Sequence, residues 1–229
     1  MTDATQGAPI IDLRGVGRTY WRGKERIDVL SRLDLQVPEA SFEAIMGPSG
    51  SGKSTLLNVI AGLDTATEGT VTVAGSELGS LSDRARCRWR ADNIGFVFQT
   101  YNLLPVLTAE QNVELPLLLT RLKSRERKER ARTALRVVGL EDRLRHLPGQ
   151  LSGGQEQRVC IARAIVSDPK ILVADEPTGD LDRKNSDDVL DLLQKLNEEF
   201  RKTIVMVTHD PVAAGRAKVV RHLEKGALQ

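Results

Sequence analysis

Cysteine, aromatic residues and an excess of either charge are all scarce in this sequence. Its two cysteines, Cys87 and Cys160, lie far apart, which argues against a disulfide framework and fits a reducing compartment. Aromatic residues make up 3% of the chain, too few for the stacking platforms that bind single-stranded nucleic acid. Lys and Arg number 33 against 31 Asp and Glu, so no basic excess favours nucleic acid either. We therefore expect no nucleic-acid partner.

Long hydrophobic runs are also missing. The apolar stretch Leu115–Leu119 falls far short of the roughly 20 residues that span a bilayer. The first nine residues are polar and lack the apolar segment of a signal peptide, and we expect them to be disordered. With 229 residues, 40% hydrophobic and 28% charged, the chain has the composition of an ordinary globular protein. We expect a soluble chain with no direct membrane insertion, so any membrane role depends on a partner.

Segments of strand character alternate with segments of helical character along the chain. Strands are predicted at residues 10–13, 30–37, 41–46, 70–73, 94–98, 171–174 and 203–207. Helices are predicted at residues 54–61, 125–138 and 154–166, and Ser124 is expected to cap the second of these. A further helix is predicted to start after a cap at Thr108. Another is predicted from an apolar face at helical spacing, formed by Val189, Leu192, Leu193, Leu196 and Phe200. The pattern predicts one α/β domain, with a core of residues 1–99 and 166–229 and a mostly helical lobe at about residues 100–165.

A glycine-rich loop follows the strand predicted at residues 41–46. It consists of Gly47, Pro48, Ser49, Gly50, Ser51, Gly52, Lys53, Ser54 and Thr55, a full match to the phosphate-loop pattern G-x-x-x-x-G-K-[ST]. The glycines let successive N–H groups point at phosphate oxygens, and the following helix adds its positive dipole end. Lys53 is suited to reaching the β- and γ-phosphates, and Ser54 to ligating Mg²⁺. A plain glycine–serine loop is the alternative, but strand, loop and helix stand in the order that a phosphate loop requires.

Two acids end the strand predicted at residues 171–174. Asp175, at the tip of a buried strand, is suited to holding Mg²⁺ beside the phosphate loop. Glu176 leaves the strand one residue later, where it is suited to reaching an attacking water as general base. A strand that ends in two acids is common by chance, so this interpretation depends on the phosphate loop upstream.

A second candidate anion site precedes the helix predicted at residues 154–166. It consists of Leu151, Ser152, Gly153, Gly154 and Gln155, which place a serine hydroxyl and free backbone amides at a helix N-terminus. The simpler interpretation is a helix cap with a flexible entry. The phosphate loop and the two acids favour the anion site.

Taken together, these motifs resemble the nucleotide-binding subunit of an ABC transporter over nearly the whole chain. Residues 151–155 match the family's signature motif, Gln99 its glutamine loop, residues 179–182 its D-loop and His209 its switch histidine. The resemblance implies a P-loop NTPase core, that is, a RecA-like mixed sheet with an antiparallel β part, and an inserted helical lobe that carries the signature motif. It also implies that the protein binds ATP and Mg²⁺ and hydrolyses the ATP.

The resemblance further implies roles for individual side chains. Tyr20 is expected to stack on adenine, with Trp21 as the neighbouring candidate and a place in the core as the alternative. Gln99 is expected to contact Mg²⁺ or the attacking water. His209 is expected to contact the γ-phosphate and to hold Glu176 and the water in register. The implied catalytic set is Glu176, His209, Gln99 and Lys53, and the implied metal ligands are Ser54, Gln99 and Asp175.

A dimer follows from the same resemblance. In this family the signature loop of one subunit closes on the phosphate loop of another, so two identical chains or two related ATPase subunits would enclose two ATP molecules. Ser152, Gly153, Gly154 and Gln155 would then bind the nucleotide across the contact, and Asp182 would run along the contact and couple the two sites.

Residues 96–116 resemble the branch of the family that contains lipoprotein-release ATPases and exporters of macrolides or antimicrobial peptides. Such ATPases drive a separate integral membrane permease, which implies a location on the cytoplasmic face of the membrane. Residues 101–107 would form much of the groove that receives the permease, although they are also compatible with the core of the lobe. The alternative function is a signalling module that controls cell-wall enzymes through a membrane partner. DNA repair and translation factors are disfavoured, because the spacing between the phosphate loop and the signature motif leaves no room for a long insertion.

Several positions depart from the pattern of the family. Ala40 stands where relatives usually have glycine, Glu156 replaces a usual glutamine, Cys160 an ordinary alanine, and Asp180 a common asparagine. None of these changes removes a catalytic group, so we expect hydrolysis to be retained. The basic residues at 121–132 are interleaved with acids, which favours a solvated helix over lipid or partner contact.

Overall fold

The strands of residues 8–229 form two sheets, one of them antiparallel. The structure is a computed structural model that describes residues 8–229. The strands of the antiparallel sheet are β1 (Ile11–Arg22), β2 (Glu25–Val37), β4 (Glu68–Val73) and β5 (Ser76–Glu77), in the order β2-β1-β4-β5. A two-residue turn joins β1 to β2, with Gly23 at a φ of 64°, a conformation typical of hairpin turns.

The second sheet is parallel except at one edge. Its strands are β3 (Phe42–Met46), β6 (Ile94–Val97), β7 (Ile171–Asp175), β8 (Thr203–Thr208), β9 (Val219–Glu224) and β10 (Ala227–Leu228). Their order is β10-β9-β3-β8-β7-β6, and β10 pairs antiparallel with β9. The mixed sheet beside an antiparallel sheet is the arrangement expected above.

The register of the parallel strands determines where the site lies. Met46 at the end of β3 pairs with Thr208 at the end of β8, and Asp175 at the end of β7 pairs with Val207. The carboxyl ends of these three neighbouring strands therefore lie at one edge of the sheet, where ligands bind in α/β folds. The phosphate loop, Glu176 and His209 follow these strand ends directly.

Within residues 8–229, seven α-helices cover the sheets. They are α1 (Lys53–Ile60), α2 (Asp83–Asn93), α3 (Ala109–Glu114), α4 (Ser124–Val137), α5 (Gly153–Ile165), α6 (Arg183–Glu198) and α7 (Pro211–Ala214). Short 3₁₀ helices lie at Leu78–Ser80, Leu115–Leu119 and Pro148–Gln150. Residues 98–170, all of them described, contain helices and turns but no strand. No helix within residues 8–229 is long and apolar enough to cross a bilayer.

The core is divided by the parallel sheet, whose strands are apolar on both faces. On β8, Ile204 and Met206 pack with α3, α4, α5 and α6, whereas Val205 and Val207 pack with α1 and the antiparallel sheet. Strands buried on both faces have continuous apolar sequences rather than alternating ones. This burial explains why the sequence shows apolar runs at residues 171–174 and 203–207.

Most predicted elements are confirmed in kind, and several bounds differ. The antiparallel hairpin extends β1 to Arg22, well beyond the predicted residues 10–13. Ser124 was expected to cap α4, but it is the first helical residue and Lys123 occupies the cap position, because Glu126 accepts a hydrogen bond from the Lys123 amide at 2.7 Å. The disorder expected for the first nine residues falls largely on residues 1–7, which lie outside the described residues.

The predicted apolar face of the crossover helix is wrong at one position. Helix α6 ends at Glu198, and Phe200 lies beyond it with 46% of its surface exposed. Leu190, which the prediction omitted, is buried on α6 instead. Helix α2 was not predicted at all, because Trp89 is its single buried residue and four arginines hide any helical periodicity.

Candidate functional site

The phosphate loop wraps around its own lysine. The Nζ of Lys53 donates hydrogen bonds to the carbonyl oxygens of Gly47 at 2.8 Å and Pro48 at 3.0 Å, and the lysine is buried. Gly52 has a φ of 102° and lies against β2, where an added Cβ would stand 2.9 Å from the Val29 carbonyl oxygen. Glycine is therefore required at position 52 by both its conformation and its close approach to β2.

A serine and a buried carboxylate lie next to this lysine. The Oγ of Ser54 donates to Oδ1 of Asp175 at 3.2 Å. Burial raises the pKa of the Asp175 carboxyl, with a smaller contribution from the neighbouring Glu176, while the Ser54 hydroxyl and Lys53 act in the opposite direction. The Ser54 hydroxyl oxygen and the Asp175 carboxylate oxygen thus lie side by side, in buried surroundings where a nearby positive charge would stabilise the carboxylate.

Glu176 and His209 form a close pair at the ends of β7 and β8. The Nδ1 of His209 lies 2.7 Å from Oε2 of Glu176. Glu176 has a φ of 46°, unusual for a residue with a side chain, and its amide donates to the Val207 carbonyl at 3.0 Å. This backbone turn carries the Glu176 carboxylate out of the line of β7, and strained backbone of this kind occurs frequently at functional sites.

Lys53, Ser54, Glu176 and His209 meet in one cleft of about 640 Å³, and among residues 8–229 Asp175 is not one of those that line it. Its walls are formed by Val29, Ser49, Gly50, Gly52, Lys53, Ser54, Thr55, Glu176 and His209. The structure therefore brings the phosphate loop together with the predicted general base and the switch histidine. Val29 is a wall residue that the sequence analysis missed, and no local sequence signal marks it, because only the long hairpin places it there.

Gln99 lies beside the D-loop rather than in this cleft. Its Nε2 donates to Oδ1 of Asp180 at 3.4 Å, and Gly179 approaches its side chain closely. Asp182 also has a local role, since it caps α6 by accepting hydrogen bonds from the Asn185 amide at 2.9 Å and from the Asn185 side chain at 2.7 Å. These bonds, led by the one from the Asn185 amide, lower the pKa of the Asp182 carboxyl.

The signature residues form the start of α5. The Oγ of Ser152 accepts from the Gln155 amide at 3.3 Å, and the Gln155 side chain accepts from the Ser152 amide at 3.0 Å. This reciprocal pair is a capping box. A Cβ on Gly154 would overlap Asn185, so α5 packs tightly against the start of α6. Among the described residues, none of 152–155 lines the cleft at Lys53.

The predicted adenine platform lies on the hairpin of β1 and β2. Tyr20 is 37% exposed, its hydroxyl donates to Asp64, and the guanidinium of Arg18 lies 4.4 Å from its ring centroid. Tyr20 is thus a partly exposed surface aromatic rather than a core residue. Within residues 8–229 it is not among the residues that line the cleft.

Comparison with known proteins settles the family. The sequence profile of the ABC transporter family matches residues 30–179, about two thirds of the chain. This chain belongs to the ABC transporter family. Within the family it is an ATP-binding and ATP-hydrolysing subunit. The resemblance described from the motifs is confirmed.

Three relatives illustrate the similarity. The macrolide export ATP-binding/permease protein MacB 1/2 of Paracoccus denitrificans is 47% identical over 98% of this chain, which spans 34% of MacB. The lipoprotein-releasing system ATP-binding protein LolD of Bordetella pertussis is 43% identical over 100% of this chain and 99% of LolD. A solved structure of the ATP-binding cassette MJ0796 of Methanocaldococcus jannaschii shows a dimer in a post-hydrolysis state, bound to ADP and Pi. Its chain is 45% identical to this one, the match covers 96% of both chains, and the two superpose with a TM-score of 0.88. The predicted α/β P-loop NTPase fold is thereby confirmed.

Proposed function

We propose that this chain is the motor of an export system, in which two ATPase subunits close around two ATP molecules and drive a separate membrane permease. The observation that carries this proposal is the composition of the cleft. The cleft contains the phosphate loop, Glu176 and His209, whereas Ser152 and the rest of the signature motif lie outside it. The cleft is therefore half of a nucleotide site, and a second subunit supplies the other half.

Each of several side chains at the site has its own role in ATP hydrolysis. Lys53 is buried, and it exchanges its bonds to the loop carbonyls for the β- and γ-phosphates. Glu176 takes the proton of the attacking water. His209 holds the Glu176 carboxylate through the 2.7 Å contact and reaches the γ-phosphate. Tyr20 is not among the described residues that line the cleft, and we assign it to stacking on the adenine through the ring face opposite Arg18.

The residues beside Lys53 fit Mg²⁺. Ser54 and Asp175 offer two adjacent oxygen donors, and Gln99 joins them once its contact with Asp180 is released. Within residues 8–229 no group of three or more His, Cys, Asp or Glu side chains is placed to hold a metal. The pair of Ser54 and Asp175 suits Mg²⁺, which proteins usually hold through one or two side chains together with phosphate oxygens. When bound, Mg²⁺ neutralises the charge on the β- and γ-phosphates.

The helical lobe at about residues 100–165 carries both the signature motif and the surface for the permease. Leu104 and Val106 are 46% and 80% exposed. Arg163 donates to the carbonyl oxygen of Tyr101 and Asn112 to that of Leu104, so the backbone that presents these side chains is held in place. Exposed apolar side chains on an ordered segment are typical of a protein interface. We assign residues 101–107 to the permease contact, and we propose that the chain lies on the cytoplasmic face of the membrane.

The names of the relatives favour export as the direction of the transport that this ATPase drives. MacB is a macrolide export protein and LolD belongs to a lipoprotein-releasing system, and both are more than 40% identical to this chain. We therefore place this protein in the branch that releases lipoproteins or exports macrolide-type or antimicrobial-peptide substrates.

Replacement of Glu176 by glutamine tests the assignment of the general base. Because glutamine keeps the shape but accepts no proton, Glu176→Gln should bind ATP normally and hydrolyse it about 100-fold or more slowly. The variant should also accumulate an ATP-bound dimer, measured by size-exclusion chromatography with light scattering. Glu77→Gln, at an exposed acid on β5, is the matched control and should hydrolyse ATP at the native rate. Hydrolysis by Glu176→Gln near the native rate would remove this residue from the role.

The same variant identifies the permease. The Glu176→Gln dimer, captured from native membranes in the presence of ATP, should co-purify with one integral membrane protein. Adding Val106→Asp should remove that protein while leaving the ATP-bound dimer intact, because Val106 is exposed and outside the cleft. Retention of the same membrane protein by the double variant would contradict the assignment of residues 101–107.

A further inference from the structure

Gln157, on the second turn of helix α5, is completely buried although its side chain is polar. Its Nε2 donates to the carbonyl oxygen of Pro177 at 2.7 Å and to that of Phe98 at 3.3 Å. Its Oε1 is buried and has no hydrogen-bond partner. The two carbonyl acceptors fix the orientation of the amide, because a flipped amide would place oxygen against oxygen.

The two carbonyls belong to the segments that carry the predicted catalytic side chains. Phe98 directly precedes Gln99, and Pro177 directly follows Glu176. Strands β6 and β7 pair as far as Val97 and Ala174, so both segments have left the sheet at these carbonyls. The Gln157 amide therefore joins two loops beyond the point where strand pairing ends.

Burying an unpaired carbonyl oxygen costs free energy that an apolar side chain of the same length would avoid. The amide is thus unfavourable as a packing group, and its two donated bonds are what an apolar residue could not supply. The same helix is capped by Ser152, five residues earlier, and packs through Gly154 against Asn185, the partner of Asp182.

We propose that Gln157 is a positioning residue for hydrolysis: its side-chain amide holds the segments of Gln99 and Glu176 to the signature helix. A displacement of α5, when Ser152 meets nucleotide on the other subunit, then shifts both segments together. This inference rests on the proposed function, since it assumes that Ser152 contacts nucleotide across a dimer and that Glu176 acts in hydrolysis.

The test compares two buried amides in the full-length chain. Gln157→Met keeps the length of the side chain and removes the donor. The matched control is Asn197→Leu, because buried Asn197 also donates to two carbonyl oxygens, those of Ala40 at 2.9 Å and Lys202 at 2.8 Å, away from the cleft. Each variant is assayed for thermal midpoint, for the dissociation constant of a fluorescent ATP analogue, and for kcat and KM.

Both variants should lower the thermal midpoint. Gln157→Met alone should lower kcat, by about tenfold or more, while its nucleotide dissociation constant stays within about twofold of the native value. Asn197→Leu should keep kcat within about twofold of native. Equal effects of the two variants on kcat, or a kcat for Gln157→Met near that of the native protein, would overturn the inference.

If Gln157→Met fails to fold, Gln157→Asn replaces it. Asparagine keeps the amide on a side chain one methylene shorter, so it cannot bridge both carbonyls, and kcat should again fall severalfold at unchanged nucleotide affinity. An unchanged kcat in Gln157→Asn would overturn the inference as well. A native protein that fails to hydrolyse ATP would instead overturn the proposed function, so the two failures are distinguishable.

Discussion

At the residue scale, Ala40 carries a backbone conformation that suits glycine better. It lies between β2 and β3 with a φ of 57°, and its amide and carbonyl are both hydrogen-bonded, to Thr203 and Asn197. For a residue with a Cβ, the left-handed region costs about 1–2 kcal/mol. The unusual alanine noted in the sequence is therefore a local source of instability with no bearing on the nucleotide cleft.

Ala40→Gly should stabilise the protein. Relief of the left-handed conformation outweighs the greater entropy that glycine gives the unfolded chain, which costs about 0.4–1 kcal/mol. A net gain of about 0.5–1 kcal/mol raises the thermal midpoint by about 1–4 °C for a chain of this size. Scanning calorimetry of the nucleotide-free protein measures it. Ala91→Gly, inside α2, is the control and should lower the midpoint. A lower midpoint for Ala40→Gly would contradict this account.

The chemistry of individual residues was predictable to different degrees. Lys53 and Ser54 stand in a motif whose spacing implies their geometry, and Ser54 does contact Asp175. The sequence could not predict that Gln99 lies against Asp180, because this contact joins segments about 80 residues apart along the chain. Long-range contacts of this kind depend on the packing of whole elements.

At the scale of elements, the starts of α5 and α6 are capped by their own side chains. Thr108 was correctly expected to cap α3, because a serine or threonine followed three residues later by glutamine or glutamate is a recognisable capping box. Helix α2 is capped by Ser82, but its arginines interrupt any apolar periodicity that would reveal the helix in the sequence. Helices that bury a stripe of leucines can be predicted from the sequence, whereas surface helices held by one large residue cannot.

The cap at Asp182 should make the stability of α6 depend on pH. The pKa of this carboxyl is lowered in the folded chain, chiefly by the bond from the Asn185 amide. Its stabilising contribution is therefore complete above the unfolded pKa of about 4 and is lost as the pH falls through the lower folded value. Asp182→Ala should lower the thermal midpoint at pH 7, and the difference from native should shrink below about pH 4.

Asp182→Asn is the control for that experiment, since asparagine caps helices without carrying a charge. Its midpoint should lie closer to that of the native protein at pH 7, and its difference from Asp182→Ala should not vary with pH. A native-to-alanine difference that stays constant down to pH 3 would mean that the carboxylate charge contributes nothing to this cap.

At the scale of the whole molecule, the parallel sheet places the phosphate loop, Glu176 and His209 at one edge, and the start of α5 keeps residues 152–155 out of the cleft that this loop and these two side chains line. The order of motifs along the chain predicted that the phosphate loop, Glu176, His209 and the signature motif would all be present. It could not give the distances between them, because the separation of cleft and signature depends on how α5 packs on the sheet. The central claim is that one chain supplies two different halves of a site.

Mixing two inactive variants tests that claim most directly. Lys53→Ala removes the lysine that we propose binds the phosphates. Ser152→Asp keeps a helix cap but places a negative charge where the partner's triphosphate would lie. Each variant alone should be inactive. An equal mixture should recover about one quarter of native hydrolysis, because half of randomly paired dimers are mixed and each mixed dimer has one intact site.

The control mixes Lys53→Ala with Lys53→Met, which share the same defect and should stay inactive. Two different affinity tags on the chains establish that mixed dimers have formed. Restored ATP hydrolysis in the mixture of Lys53→Ala and Ser152→Asp is the result that this account predicts. Mixed dimers that form and remain inactive, or a Ser152→Asp chain that is fully active alone, would contradict it.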